Sequence, residues 1–352
     1  MVMRPYYRSL RPFRLWRTLP HPTDWTTEFG RPAPLDLEIG CGNGDYVVAR
    51  AAAHPERNLV GLELLWGRVQ KILRRVARHQ LAHVRVLQAD ARIAVERLFG
   101  RHSLHHVVAL FPCPWPKARQ EKHRLFSRAF LTMLNTRLVP QGTLHIVTDH
   151  EHFSAWLHAQ IPAEGFEVAS ALIPPQFATR YEQRWHASGQ ERFYELKLRK
   201  TQELAWPAQE VIPMETHTIA QCEPAYFRPV GEREACHIEF GEFLYDPAHR
   251  KGLVAVVIVE EGLAQDLWIE LAWQPTGWRI RPARGSQMLP TRGLQRALDL
   301  VRDAALASCA AVPMTGATDT ADAESTGGQP CGRPLGGEVG ALDASKTPSD
   351  LG

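Results

Sequence analysis

The chain has 352 residues, 44% of them hydrophobic, and a formal net charge of +3. That length predicts about two domains and that apolar content an ordinary globular protein. No apolar run reaches the roughly eighteen residues of a membrane helix, and the basic N-terminus lacks the apolar stretch of a secretory signal. The six cysteines (Cys41, Cys113, Cys222, Cys236, Cys309 and Cys331) include no C-x-x-C pair, which argues against a zinc knuckle or a disulfide framework and for a reducing cytoplasm.

Residues 1–30 form a basic arm, with Arg4, Arg8, Arg11, Arg14 and Arg17 ahead of the first acid, Asp24. From residue 35 strand and helix patterns alternate. "LDLEIG" reads as a strand, 44–54 as a helix, "NLVGLEL" as a strand and 66–80 as a helix. "HVRVLQAD" and "HHVVALFP" follow as strands, then a helix over 123–138, the strand "GTLHIVTD" and a helix near 151–160. "FEVASALI" and "RFYELKLRK" close the series, separated by a long loop, as an antiparallel hairpin at a sheet edge. Such alternation predicts an α/β domain over 31–200, with a mostly parallel sheet covered on both faces.

Beyond Lys200 the texture changes. Residues 201–234 read as an irregular linker. "ACHIEFGEFLYD", "GLVAVVIVEE", "DLWIELAWQ" and "GWRIRPA" read as a meander. A helical period places Leu294, Ala297, Leu298, Val301 and Ala305 on one face. Residues 235–310 are therefore expected to be a small α+β domain, open to a protein partner or a self-contact. Residues 311–352 carry almost no large apolar side chain and are expected to be disordered.

The near-neutral total hides a split. Residues 1–200 hold 29 Lys and Arg against 17 Asp and Glu; the remainder hold 12 against 21. A basic half of this size suits a polyanion such as nucleic acid. On the helix over 66–80, Val69, Ile72, Leu73 and Val76 make the core stripe, while Arg68, Lys71, Arg75 and Arg78 share another face. For that helix alone a solvated face is the simpler reading. No spacing among the sixteen histidines suggests a metal site.

"EIGCGNG", Glu38 to Gly44, follows a strand and opens a helix. Gly40, Gly42 and Gly44 let backbone approach a ligand closely. The second strand ends at Glu63, whose carboxylate can accept from ribose hydroxyls, and the third ends near Asp90, which can accept from an adenine amino group. A pyrophosphate is disfavoured beside Glu38 and Asp45, whereas a ligand with an adenosine, an ammonium and a sulfonium is favoured. This points to S-adenosylmethionine rather than NAD. Glu38 has two readings that stay open at this point: a ligand contact, or a structural carboxylate holding the loop amides.

Taken with "GLEL", "QADA", "FPCPWPKARQEKHR", "VTD" at 147–149 and "TRYEQRWHASGQERFYEL" at 179–196, this stretch resembles the bacterial tRNA (guanine-N7-)-methyltransferases over residues 35–200. The resemblance implies a class I methyltransferase fold, Rossmann-like, with a seven-stranded sheet. It implies methyl transfer from S-adenosylmethionine to N7 of a guanine in the tRNA variable loop. Cofactor contacts are implied at Glu38, Glu63 and Asp90, and substrate contacts at Lys117, Asp149 and the segment Thr179, Arg180, Tyr181 and Glu182. The family's loop resembles F-P-D-P-W, and its aspartate is usually assigned the catalytic role; Cys113 stands in its place in this chain. Gln120 and His123 are lesser departures. Cys113 has three readings: a tolerated substitution in a slower enzyme, the mark of an inactive RNA- and donor-binding paralogue, or a nucleophile like that of pyrimidine C5-methyltransferases. Trp115 and Trp185, beside motif loops, could stack on a base or serve as packing anchors.

Overall fold

The computed structural model describes residues 9–207 and 212–311. The expected disordered tail therefore lies, from residue 312 on, outside the described residues. Two sheets organise the described chain.

The first sheet is built from β1 (Phe13–Arg14), β2 (Leu35–Ile39), β3 (Asn58–Glu63), β4 (Val84–Gln88), β5 (Leu104–Leu110), β6 (Leu138–Thr148), β7 (Phe166–Ile173) and β8 (Phe193–Lys200), in spatial order β1-β4-β3-β2-β5-β6-β8-β7. Neighbours are parallel except that β8 runs antiparallel to both β6 and β7. The helices are α1 (Trp25–Phe29), α2 (Asp45–Ala53), α3 (Trp66–Arg78), α4 (Ala91–Leu98), α5 (Arg128–Arg137), α6 (Glu151–Gln160) and α7 (Arg180–Ala187). β2 and β3 are buried along their whole length, as expected where helices cover both faces. Chain order reverses between β2 and β5, so the crevice beyond their carboxyl ends is the natural ligand position of such a sheet.

Three expectations about this first sheet change. The sheet has eight strands rather than seven, because the basic arm adds β1, with Phe13 opposite Val86. The helix expected over 123–138 starts at Arg128; Ser127 caps it by accepting from the Phe130 amide, and 118–123 is a 3₁₀ helix instead. The long loop before β8 contains α7, which Thr179 caps by accepting from the Glu182 amide at 3.2 Å.

The second sheet is antiparallel. β9 (His217–Ile219), β10 (Glu232–Arg233), β11 (His237–Asp246), β12 (Lys251–Glu260), β13 (Leu263–Gln274) and β14 (Gly277–Pro282) lie in the order β10-β11-β12-β13-β14-β9. α8 (Arg292–Ala310) packs Leu294, Leu298 and Val301 against Val254, Val256, Ile258 and Ile269. The segment expected as a linker, 201–234, supplies β9 and β10 to this sheet and buries Phe227 in its core. Arg17 donates to the backbone oxygens of Ala264 and Gln287 at 3.1 and 3.5 Å, tying the arm to the second sheet. Among the described residues no helix is long and apolar enough to cross a membrane.

Candidate active site

The turn after β2 is held in a shape only glycine adopts easily. Gly40, Gly42 and Gly44 have φ of +78°, +55° and +80°. A Cβ at Gly44 would meet Ile72 Cγ1 at 3.0 Å, so this glycine also lets α2 pack on α3. Glu63 braces the turn from β3. Its Oε2 accepts from the Gly42 amide at 2.9 Å, and its Oε1 accepts from the amides of Leu64 and Leu65 at 3.0 and 3.1 Å. Glu63 thus ties the glycine turn to the entry of α3.

Glu38 behaves differently. It is buried, and its Oε2 has no hydrogen-bond partner among the described residues. Burial above all, with the charges of Asp45 and Glu63 adding, pushes its carboxyl up to about 8. Glu38, Tyr46, Leu110, Phe111 and Thr179 line a narrow crevice beside the glycine turn, where β2 and β5 diverge. Hydrogen bonds from the Cys41 thiol and the Val47 amide act against that push. Glu63 braces the loop, and Glu38, itself held by it, presents one unpaired carboxyl oxygen.

Asp90 caps α4 through the Arg92 amide at 2.9 Å and grips the Arg92 guanidinium with both oxygens, at 2.6 Å for the shortest contact. Burial pushes its carboxyl up, but the Arg92 hydrogen bonds outweigh this and leave it lowered. A ligand reaching Asp90 must therefore compete with a pair within its own helix cap.

The loop after β5 begins with Phe111 at φ +54° and contains Trp115 at φ +45°. Arg124 fastens it, donating to the backbone oxygens of Pro114 and Trp115 at 2.8 and 3.2 Å while lying over the Trp156 ring of α6. Glu121 accepts from Trp156 Nε1 at 2.6 Å. Sequence reasoning did not single out Arg124; the cation ending "KARQEKHR" was its only trace. Cys113 is exposed on this loop, two residues beyond Phe111, and Lys117 is exposed at its far end. Asp149 follows β6; burial pushes its carboxyl upward, and its backbone oxygen accepts from Gln190 Nε2 at 2.9 Å.

The Thr179–Glu182 segment lies across the glycine turn. The Arg180 amide donates to Asp45 Oδ2 at 3.2 Å, and Tyr181 comes against Gly42. Glu182 is buried, and both its oxygens accept backbone amides, from Gln176 at 2.7 Å and Phe177 at 2.8 Å. Its carboxylate thus holds the approach to α7. Trp185 packs against the Val108, Leu110, Val147 and Phe193 cluster, which is the anchoring role. Trp115 is half-buried beside His123, with ring centroids 5.3 Å apart. Among the described residues no group of three or more His, Cys, Asp or Glu side chains could hold a metal ion.

A doubly wound sheet, a glycine turn at its switch point and an acid at the end of each of the first three strands that follow the arm define a class I methyltransferase fold. A family described as "Putative methyltransferase" matches residues 32–195. The tRNA (guanine-N(7)-)-methyltransferase of Chlorobium phaeobacteroides is 39% identical over 170 residues, covering 48% of this chain and 83% of that protein. That of Thermus thermophilus is 30% identical over 301 residues, covering 83% and 94%, so the likeness extends into the second sheet. Among solved structures, the 16S rRNA methyltransferase KamB is similar at 18% identity and a TM-score of 0.41, over 53% of this chain and 97% of that one. The chain belongs to the tRNA (guanine-N(7)-)-methyltransferase family.

Proposed function

We propose that this protein methylates N7 of a guanine in the variable loop of tRNA, with S-adenosylmethionine as donor, and that it works in the cytoplasm. The observation that carries the reading is the pairing of a Glu63-braced glycine turn with a buried, unpartnered Glu38 oxygen at the β2/β5 switch point. These residues suit the donor. The positive-φ turn offers backbone to a close ligand, Glu38 offers an acceptor to a cationic amino-acid group, and Glu63 and Asp90 end neighbouring strands toward an adenosine. S-adenosylmethionine, when bound, supplies an electrophilic methyl group on sulfur.

N7 of guanine carries a lone pair and no proton, so this chain need supply no general base there. Its work is to hold the guanine in line at about 3–3.5 Å and keep water out. In this reading Lys117 and Asp149, on the loops after β5 and β6, contact the substrate. Glu182 acts through Gln176 and Phe177 as a positioning residue. Cys113 occupies the place where a carboxylate would accept from the guanine edge and offset the developing positive charge. A thiol is a poor acceptor; the loss of one charge-assisted hydrogen bond is worth roughly 1.5–3 kcal/mol, or about ten- to a hundredfold in rate. A thiol in place of that carboxylate also motivates a second reading, a binding protein on a methyltransferase scaffold.

Incubation with unmodified tRNA and labelled donor, followed by mapping of the methylated nucleotide, tests the proposal. Label at N7 of a variable-loop guanine is expected. Label at C5 of a pyrimidine, or none, overturns it.

A further inference from the structure

α3 and α7 face one another across a cleft of about 420 Å³ whose floor is Gly42 and Asn43 of the glycine turn. Two cations come from each helix. Arg68 and Lys71 are three residues apart on α3, and Arg180 and Arg184 four apart on α7, so each pair shares a helix face. The basic face of α3 is therefore not uniformly solvated. Arg75 is engaged with Asp45, whereas Arg68 and Lys71 line the cleft.

The charges in the cleft are not neutralised from within. Arg68 donates to the Tyr181 hydroxyl at 2.8 Å and approaches Glu63 Oε2 only at 3.8 Å. Among the described residues, Lys71 has no hydrogen bond or ion pair, and the guanidinium of Arg180 has none either. The Arg184 guanidinium lies over the Trp185 ring at 5.7 Å and meets no carboxylate. The two nearest acids are already engaged: Asp45 by Arg75 and the Arg180 amide, Glu63 by three backbone amides. Three unpaired cations on two helices, with an exposed tyrosine between them, make a site for a doubly liganded oxyanion; arginine forks suit phosphate oxygens in particular.

We propose that the α3–α7 cleft is a phosphodiester subsite that grips the tRNA backbone beside the donor turn. This rests on the function proposed above and adds to it the residues that hold the substrate strand. A phosphodiester is favoured because residues 1–200 carry a net excess of bases and the cleft opens outward through the exposed side chains of Lys71, Tyr181 and Arg184. Gly42 and Asn43 also border the donor site, so the carboxylate of the donor is the competing anion.

The test uses the full chain carrying Lys71→Ala with Arg184→Ala. tRNA affinity is measured across a salt series, and donor affinity by calorimetry without tRNA. The expected result is a tRNA affinity lower by about tenfold or more near 0.15 M salt, with the slope of log affinity against log salt shallower by about 1.4–1.8, as for two lost phosphate contacts. Donor affinity is expected to stay within about twofold, and Lys71→Arg with Arg184→Lys to restore most of the tRNA affinity and slope. An unchanged affinity and slope overturns the subsite while leaving the function intact. A parallel loss of donor affinity assigns the cleft to the donor carboxylate and overturns it too. If the unsubstituted protein binds no tRNA at any salt, the function itself fails and the subsite with it.

Discussion

The Gly42 amide and Glu63 Oε2 lie 2.9 Å apart, so the last residue of β3 holds the turn that follows β2. Replacing Glu63 by Ala strips acceptors from three backbone amides at once. A buried donor left unpaired costs about 1–3 kcal/mol. Glu63→Ala is expected to lose at least about 2 kcal/mol of unfolding free energy in a denaturant titration and to bind donor much more weakly. Glu63→Gln keeps a carbonyl oxygen and should lose less. An Ala variant as stable as the natural protein refutes the bracing role.

Glu38 makes a pH prediction. Its folded pKa, about 8, lies above the ordinary 4.5. Its contribution to stability is therefore fully present below about pH 4.5 and is lost as pH rises through 8. Relative to Glu38→Gln, the natural protein should lose up to a few kcal/mol between those limits, as read from denaturant midpoints across pH. A cationic ligand beside Glu38 favours its ionised form, so donor binding near pH 7 should release a proton. Calorimetry in buffers of unequal ionisation enthalpy reads that release directly. The same proton count in Glu38→Gln would show that it comes from elsewhere.

Cys113 is exposed on the loop that follows β5. If the scaffold supports N7 transfer, Cys113→Asp should raise the rate by about tenfold or more, and Cys113→Ser should change it little because neither side chain carries a charge. A covalent mechanism requires the opposite: both variants inactive, and an adduct trapped by a 5-fluoropyrimidine RNA. A binding protein shows no turnover in any of the three. An Asp variant slower than the natural protein sinks the idea that a missing carboxylate limits the rate.

Glu182 is expected to act on structure first. With both oxygens accepting amides, Glu182→Ala should release Gln176 and Phe177 to faster hydrogen exchange and weaken tRNA binding. Glu182→Gln keeps one acceptor and should fall between. Amide exchange unchanged at 176 and 177 would falsify the positioning role.

Much of this protein was already determined by its sequence. Alternating apolar strands and amphipathic helices specify the doubly wound sheet because their periodicity is local, and "EIGCGNG", Glu63 and Asp90 mark the carboxyl edge because they lie at or just past strand ends. The family likeness was legible in the same way, as motifs in order. What only tertiary structure decided is how those acids divide their work. Glu63 meets Gly42 across 21 residues, and Arg68 meets Tyr181 across 113; no periodicity encodes such a meeting. Burial leaves one Glu38 oxygen without a partner and its carboxyl raised, Arg92 occupies Asp90, and backbone amides occupy Glu182. β1 has no sequence signature because two residues carry no pattern, and its pairing with β4 depends on the edge that β4 leaves open. The cationic cleft was equally invisible. The α3 pattern reads alone as a solvated face and the α7 stretch as a loop, and the charges become a site only where the two helices are brought opposite one another.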